Sequence, residues 1–189
     1  MENTRLSSSV TIGKYRQFEA NENREEIAKF ILERFTERYI TPLLGDTKKK
    51  HGFCIMAISC LMIEALESFR QGWCDTNGKS KKAFESFFQH CGQDSKLNVF
   101  SEHANDFHKG VRCGILHQAE TTNGWRIRRE GPLFDPKAKK INATKFHKEV
   151  EAFLKSYCDE LKDSDWDAEV WENLREKMDA VIKNCAREK

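Results

Sequence analysis

The chain has 189 residues and a mass of 22.0 kDa, with 39% hydrophobic and 33% charged residues, and its 13 Phe and 4 Trp supply the bulk of a core. That length favours one domain, and the periodic apolar positions exclude disorder over most of it. Thirty-two Lys and Arg against 30 Asp and Glu leave a net charge of +2, which excludes a wholesale electrostatic binder of nucleic acid or membrane but allows a local basic patch.

Only 3 Pro and 10 Gly interrupt long periodic stretches, so the fold class is all-α. Residues 1–20 show no helical period and read as an arm, with a short extended piece at Ser9–Ile12. Residues 21–189 then read as a single helical domain. A first helix runs from about Asn23 to Leu44, with Glu25 and Glu26 in its first turn and Ile27, Phe30, Ile31 and Phe35 on its stripe. Lys48-Lys49-Lys50 follows in a connection. A second helix, about His51 to Cys74, is apolar on most sides and therefore central. Thr76-Asn77-Gly78 is a turn, and Ser80 caps a short helix through Cys91.

A fourth helix, about Ser95 to Glu120, carries Leu97, Phe100, Ala104, Phe107, Val111 and Ile115 at steps of three and four. The period then changes. Trp125-Arg-Ile127-Arg alternates and Gly131-Pro132 breaks the chain, which predicts a small β-hairpin at about residues 124–141. Two further helices, about Ala143 to Lys162 and Asp165 to Arg187, close a bundle of five to six helices.

The first residues, MENTRLSSSVTIGKYRQF, lack the apolar stretch of a secretory signal. The apolar run Phe53–Ile63 is broken by Ser59, is followed by Glu64, and is shorter than a bilayer span. The expected location is cytoplasmic, with no membrane partner. Seven cysteines, with no Cys-x-x-Cys pair, support neither a zinc framework nor a disulfide scaffold, and no metal or cofactor is expected. Glu64 and Glu67 read as solvated helix charges.

The segment that carries chemistry is Phe107-His-Lys-Gly-Val-Arg112-Cys-Gly-Ile-Leu-His117-Gln. With Val111 at zero on a helical wheel, Ile115 and Phe107 lie within about 40° of it, while Arg112, Leu116, Cys113 and His117 span about 100° to 240°. Arg112 and His117 therefore flank Leu116 and Cys113 on the face away from the stripe. An outward Leu and Cys need cover, and a second copy of the chain would bring two Arg and two His into one cleft. Imidazole suits proton transfer near neutral pH, and a forked guanidinium suits the oxygens of a phosphorane. Those groups can cleave RNA at its 2′-hydroxyl.

The same stretch resembles the HEPN superfamily of helical proteins, many of them RNases. Their hallmark is an Arg, four to six residues, then a His near the end of a long helix; here it is Arg112-Cys-Gly-Ile-Leu-His117. An aromatic-rich helix before it, then Asn123-Gly124-Trp125 leading into a hairpin and another long helix, extend the resemblance over roughly Ile27 to Leu161. The resemblance implies a homodimer whose two motifs line a shared cleft and cleave single-stranded RNA without metal, often in toxin–antitoxin or antiviral defence, with an antitoxin or defence protein as a further partner. Arg112 and His117 would be the catalytic pair, and Cys113, His108 and Gln118 would support them. The family commonly has Asn, Asp or His after the Arg, where this chain has Cys113. Some relatives bind nucleotides or proteins without cleaving anything, so a catalytically silent binding module is the alternative.

Six basic residues, Arg126, Arg128, Arg129, Lys137, Lys139 and Lys140, lie beside Trp125 and Phe134, and only Glu130 and Asp135 oppose them. They form the expected RNA surface, with the aromatics placed to stack on bases. Residues 142–189 hold nine Lys and Arg against twelve Asp and Glu, which makes that end a poor RNA surface.

Overall fold

The computed structural model describes residues 1–44 and 51–186; the Lys48-Lys49-Lys50 connection and Arg187, the expected end of the last helix, lie outside the described residues. Helices dominate, with one small mixed sheet among the described residues. The chain packs as two compact units, Met1–Pro42 with Ser68–Asp75 and Leu154–Lys189, and Leu43–Glu67 with Thr76–Phe153.

In the first unit the expected arm folds. Helix α1 spans Ile12–Ala20, and the Thr11 hydroxyl accepts from the Lys14 N–H at its start. Only Ile12 and Tyr15 of this helix are buried, too few inward positions to leave a period in the sequence. Helix α2, Arg24–Phe35, is capped by Asn23, whose side chain accepts from the Glu26 N–H. It continues as a π turn over Thr36–Ile40. Phe35 meets Phe69 edge-on at 5.4 Å, and buried Trp171 donates its indole N–H to the Leu161 carbonyl at 3.0 Å.

The second unit contains most of α3, Gly52–Arg70, all of α4, Ser80–His90, and an aromatic core. Phe107 stacks on Phe146 at 5.3 Å, and Phe88 on Phe100 at 5.5 Å. Such ring pairs add to the large apolar area each ring buries. The expected fourth helix arrives in pieces: a 3₁₀ stretch Lys96–His103, α5 over Ala104–Phe107, a π turn His108–Cys113, and α6 over Gly114–Gln118. Its end is reached at Ala119, which adopts a left-handed conformation with φ of 54°.

The chain then folds back onto two glycines. The Thr122 N–H bonds the Gly110 carbonyl at 2.8 Å, and the Glu120 N–H lies 3.4 Å from the Gly114 carbonyl. A methyl group on Gly110 would lie 2.3 Å from Trp125 Cδ1, and one on Gly114 would lie 2.5 Å from the Glu120 carbonyl oxygen. Both positions require the missing side chain.

Strands β1, Arg126–Arg128, β2, Phe134–Asp135, and β3, Lys140–Asn142, form a sheet in the order β1-β3-β2. β1 runs parallel to β3, with Ile127 opposite Ile141, and β2 runs antiparallel to it, with Phe134 opposite Ile141. The expected hairpin is thus a mixed sheet. Gly131, with φ of 86°, and Pro132 turn the chain away from β1, and β3, whose Ile141 and Asn142 are both buried, takes the centre of the sheet. Asn142 then accepts from the Lys145 N–H and starts α7, Ala143–Asp163; α8, Glu169–Ala186, follows in the first unit.

Gly114→Ala should lower the unfolding free energy by more than about 2 kcal/mol, since the obstructing atoms are backbone and cannot rotate away. Gly92→Ala, where nothing lies within 4 Å of the added carbon, should stay within about 0.5 kcal/mol of wild type in the same urea titration.

Candidate active site

Arg112 sits in the π turn, an element that places one extra residue in a helical turn and recurs at functional positions. The wheel drawn at a uniform helical angle therefore does not hold through residues 108–113. Arg112 turns back toward α3, and its Nε donates to Glu64 Oε1 at 2.7 Å. The guanidinium side chain is 18% exposed and the carboxylate side chain 9%. Burial acts to lower the Arg112 pKa, but the bonded Glu64 carboxylate outweighs it and holds the group above the ordinary arginine value. Its two terminal nitrogens bond no carboxylate among the described residues.

Three further side chains complete the cluster. Ser80, the first residue of α4, donates its hydroxyl to Glu64 Oε1 at 3.0 Å, and the Ser80 hydroxyl oxygen lies 3.1 Å from His108 Nε2. Since the one hydroxyl proton goes to the carboxylate, His108 must carry its proton on Nε2 and donate it to Ser80. His108 Nδ1 is then an unprotonated, buried nitrogen with no hydrogen-bond partner. Burial first, and the neighbouring Arg112 charge second, push the His108 pKa below the ordinary value. Cys113 Sγ lies 3.8 Å from His108 Nε2.

The sequence-expected residues divide into groups. Arg112, His108 and Cys113 converge with Glu64 and Ser80. His117 and Gln118 are exposed at the end of α6, where His117 makes no hydrogen bond among the described residues. Leu116 beside it is 40% exposed, as an outward face requires. Cys113 has His108 and Arg112 as its near neighbours, so it is drawn inward from the wheel position between Arg112 and His117.

On the sheet, Arg126 and Arg128 project outward from β1 while Ile127 turns in, and Lys137 is exposed and Lys140 half-buried. Trp125 is only 3% exposed and its ring stacks on Phe134 at 5.5 Å, so its faces are not open to a base. Its indole N–H and the Lys139 ammonium both reach Asp106 Oδ2, at 3.1 and 2.6 Å. Those bonds, chiefly the one from Lys139, overcome the burial of Asp106 and hold its pKa below the usual carboxylate range. Trp125 and Lys139 are therefore parts of the fold, and Arg129 is tied to the Thr144 hydroxyl at 3.4 Å. An open cavity of about 400 Å³ is lined by Gly52, Phe53, Ile127, Arg128, Arg129 and Glu130.

Glu64 and Ser80 escaped the sequence reading. Glu64 and Glu67 are 7% and 0% exposed, not solvated helix charges. The signal available was their place on a helix apolar on every other side, where a carboxylate needs a cation or donor. Ser80 does not cap α4; Lys79 occupies that position and makes no side-chain capping bond. Among the described residues no three His, Cys, Asp or Glu side chains converge as a metal-ligand set. No family model, curated protein or solved structure matches the chain.

Glu64→Ala, which leaves a mostly buried guanidinium unpaired, should cost about 2–4 kcal/mol of stability, and Glu64→Gln less, measured by urea unfolding. A pH dependence follows from His108. The folded protein binds fewer protons than the unfolded chain below the ordinary histidine value of 6.5. Its stabilising contribution is full above that value and declines as pH falls through it. Unfolding titrations from pH 6.5 down to about 5 should show a shallower loss of stability in His108→Asn than in wild type.

Proposed function

We propose that this protein is a homodimeric, metal-independent endoribonuclease of single-stranded RNA, acting in the cytoplasm in a toxin–antitoxin or antiviral defence setting. The observation that carries the reading is the presentation of Arg112. Glu64 bonds the guanidinium through Nε, so that neither terminal nitrogen bonds a carboxylate among the described residues and the fork can meet the oxygens of a phosphate. His117 lies exposed five residues further on. The resemblance of Arg112-Cys-Gly-Ile-Leu-His117 to the HEPN motif supports the same assignment.

In the reaction an imidazole removes the 2′-hydroxyl proton, and the 2′-oxygen attacks phosphorus. The bond to the 5′-oxygen breaks, and that oxygen takes a proton from a second imidazole. The products are a 2′,3′-cyclic phosphate and a 5′-hydroxyl. Arg112 stabilises the charge on the crowded phosphorus in between. Arg126, Arg128, Lys137 and Lys140 would hold the strand by its phosphates.

One observation favours the alternative of a silent nucleotide- or protein-binding module. Glu64 already neutralises Arg112, as in an ordinary structural ion pair. Incubation of a labelled single-stranded RNA with the protein in EDTA separates the two. Wild type should cleave it to cyclic-phosphate ends, a 2′-deoxy substrate should resist, and Arg112→Ala and His117→Ala should each lose about 10²-fold or more. RNA bound but uncut by wild type establishes the silent module instead.

A further inference from the structure

We infer that the cavity beside the start of α3 takes the base of a guanosine in a single strand, so that guanine fixes where the strand sits on this protein. The cavity has a volume of about 400 Å³, within the range that encloses a small ligand group. It lies where Gly52 and Phe53 meet Ile127 of β1 and the residues just after that strand. A methyl group on Gly52 would lie 3.2 Å from Ile127 Cγ2 and 3.5 Å from Arg129 Cγ, so the bare glycine sets how closely the two segments approach.

The walls are of two kinds. Phe53 is 38% exposed and has no ring against it among the described residues, unlike Trp125, whose ring stacks on Phe134. An open aromatic face accepts a base by stacking. Arg128 and Glu130 supply the charge. Both are exposed and both line the cavity, yet neither makes a hydrogen bond or an ion pair among the described residues. The same two residues line an adjoining cavity of about 120 Å³ that reaches Lys140. A cation and an anion that share a cavity without pairing suit a ligand that carries both acceptors and donors.

A nucleotide is such a ligand, and Glu130 decides which one. Arg128 and Lys140 meet its phosphate. Glu130 repels phosphate, so its partner is the base, whose Watson–Crick edge is open in a single strand. A carboxylate only accepts, and it has two oxygens to fill. Guanine alone among the four bases sets two donors side by side on that edge, N1–H and the N2 amino group. Adenine and cytosine set one amino group beside an acceptor nitrogen, and uracil sets one N–H between two carbonyls. On those three an oxygen of Glu130 would face an acceptor.

Guanine binding needs no cleavage, but its use to place the cut rests on the ribonuclease reading. Glu64, which pairs with Arg112, lies 11 positions after Phe53 on α3, about 17 Å along the helix. A strand anchored by its guanine is then cut at a fixed offset from it.

Fluorescence anisotropy with labelled 2′-deoxy oligonucleotides, which lack the reacting hydroxyl, tests the pocket on the full chain. A strand of adenines with one central guanine should bind about tenfold tighter than adenines alone. Glu130→Gln, at an exposed position, should bring that ratio close to one. The ratio is the reading, because loss of a negative charge tightens binding of every strand. Phe53→Ala should weaken both strands alike, about tenfold. Equal affinity of wild type for the two strands overturns the inference, and so does a ratio unchanged in Glu130→Gln. Guanosine monophosphate bound as tightly as the strand makes the ligand a free nucleotide and overturns the placement on a strand. Guanine-selective binding lost in Glu130→Gln, with no cleavage of the matching RNA in EDTA, upholds the pocket and overturns the ribonuclease reading. RNA cut without regard to guanine, by a protein that binds both strands equally, overturns the pocket and leaves that reading standing.

Discussion

A guanidinium four-fifths removed from water must have its charge met, and in this chain Glu64 meets that of Arg112. Much of the second unit is arranged around that pair. The carboxylate comes from an otherwise apolar α3, where an unpaired acid would be costly, and the π turn over His108–Cys113 directs Arg112 toward it. Ser80, the first residue of α4, supplies a second bond to the carboxylate. That bond in turn dictates the tautomer of His108. One desolvated charge thus constrains three helical segments and the protonation of a fourth side chain.

The glycines of the same segment work in the opposite direction, through space rather than charge. Gly110 and Gly114 let the chain after Ala119 lie directly on the helical backbone, so the reversal into Trp125 and β1 is tight. Trp125 is seated against Gly110 and anchored by Asp106, which also holds Lys139 from the approach to β3. The basic sheet is therefore carried close to the Arg112 segment by packing. Some of its basic side chains are spent on the fold in the process, and Arg126 and Arg128 on the edge strand β1 remain outward.

The mostly helical class was legible because Ile27, Phe30, Ile31 and Phe35, and again Leu97, Phe100, Phe107 and Val111, recur at helical spacing and are buried in the structure. The alternation of Trp125 to Arg128 marked a strand for the same reason. What periodicity could not show was long-range. Nothing local says that β1 pairs with β3 and not with β2, because parallel pairing depends on the path after Pro132. Helix α1 left no period because only Ile12 and Tyr15 face inward. At the site, Arg112 and His117 were visible as residue types at a spacing. Glu64 and Ser80, 48 and 32 positions before Arg112, were not, since an ion pair across helices has no signature in either segment.

His147 is enclosed in the same way as His108. Buried in the second unit, it has Nδ1 2.9 Å from the Ser59 hydroxyl, which donates its own proton to the Ile55 carbonyl at 2.8 Å. His147 therefore donates to Ser59, and its Nε2 is buried without a partner. Burial holds its pKa below the ordinary value. His108 repeats every feature: an N–H given to a serine, a serine proton given onward, and a second nitrogen left buried. Because the arrangement also occurs away from Arg112 and Cys113, it is a way of enclosing a neutral imidazole, and its presence beside Arg112 is not a mark of catalysis. A group that takes and returns protons must reach its substrate, and both nitrogens of His108 are occupied or enclosed. Under the proposed ribonuclease reading the proton-transfer role would fall to the exposed His117, while His108 bonds Ser80, which bonds the Glu64 carboxylate that pairs with Arg112.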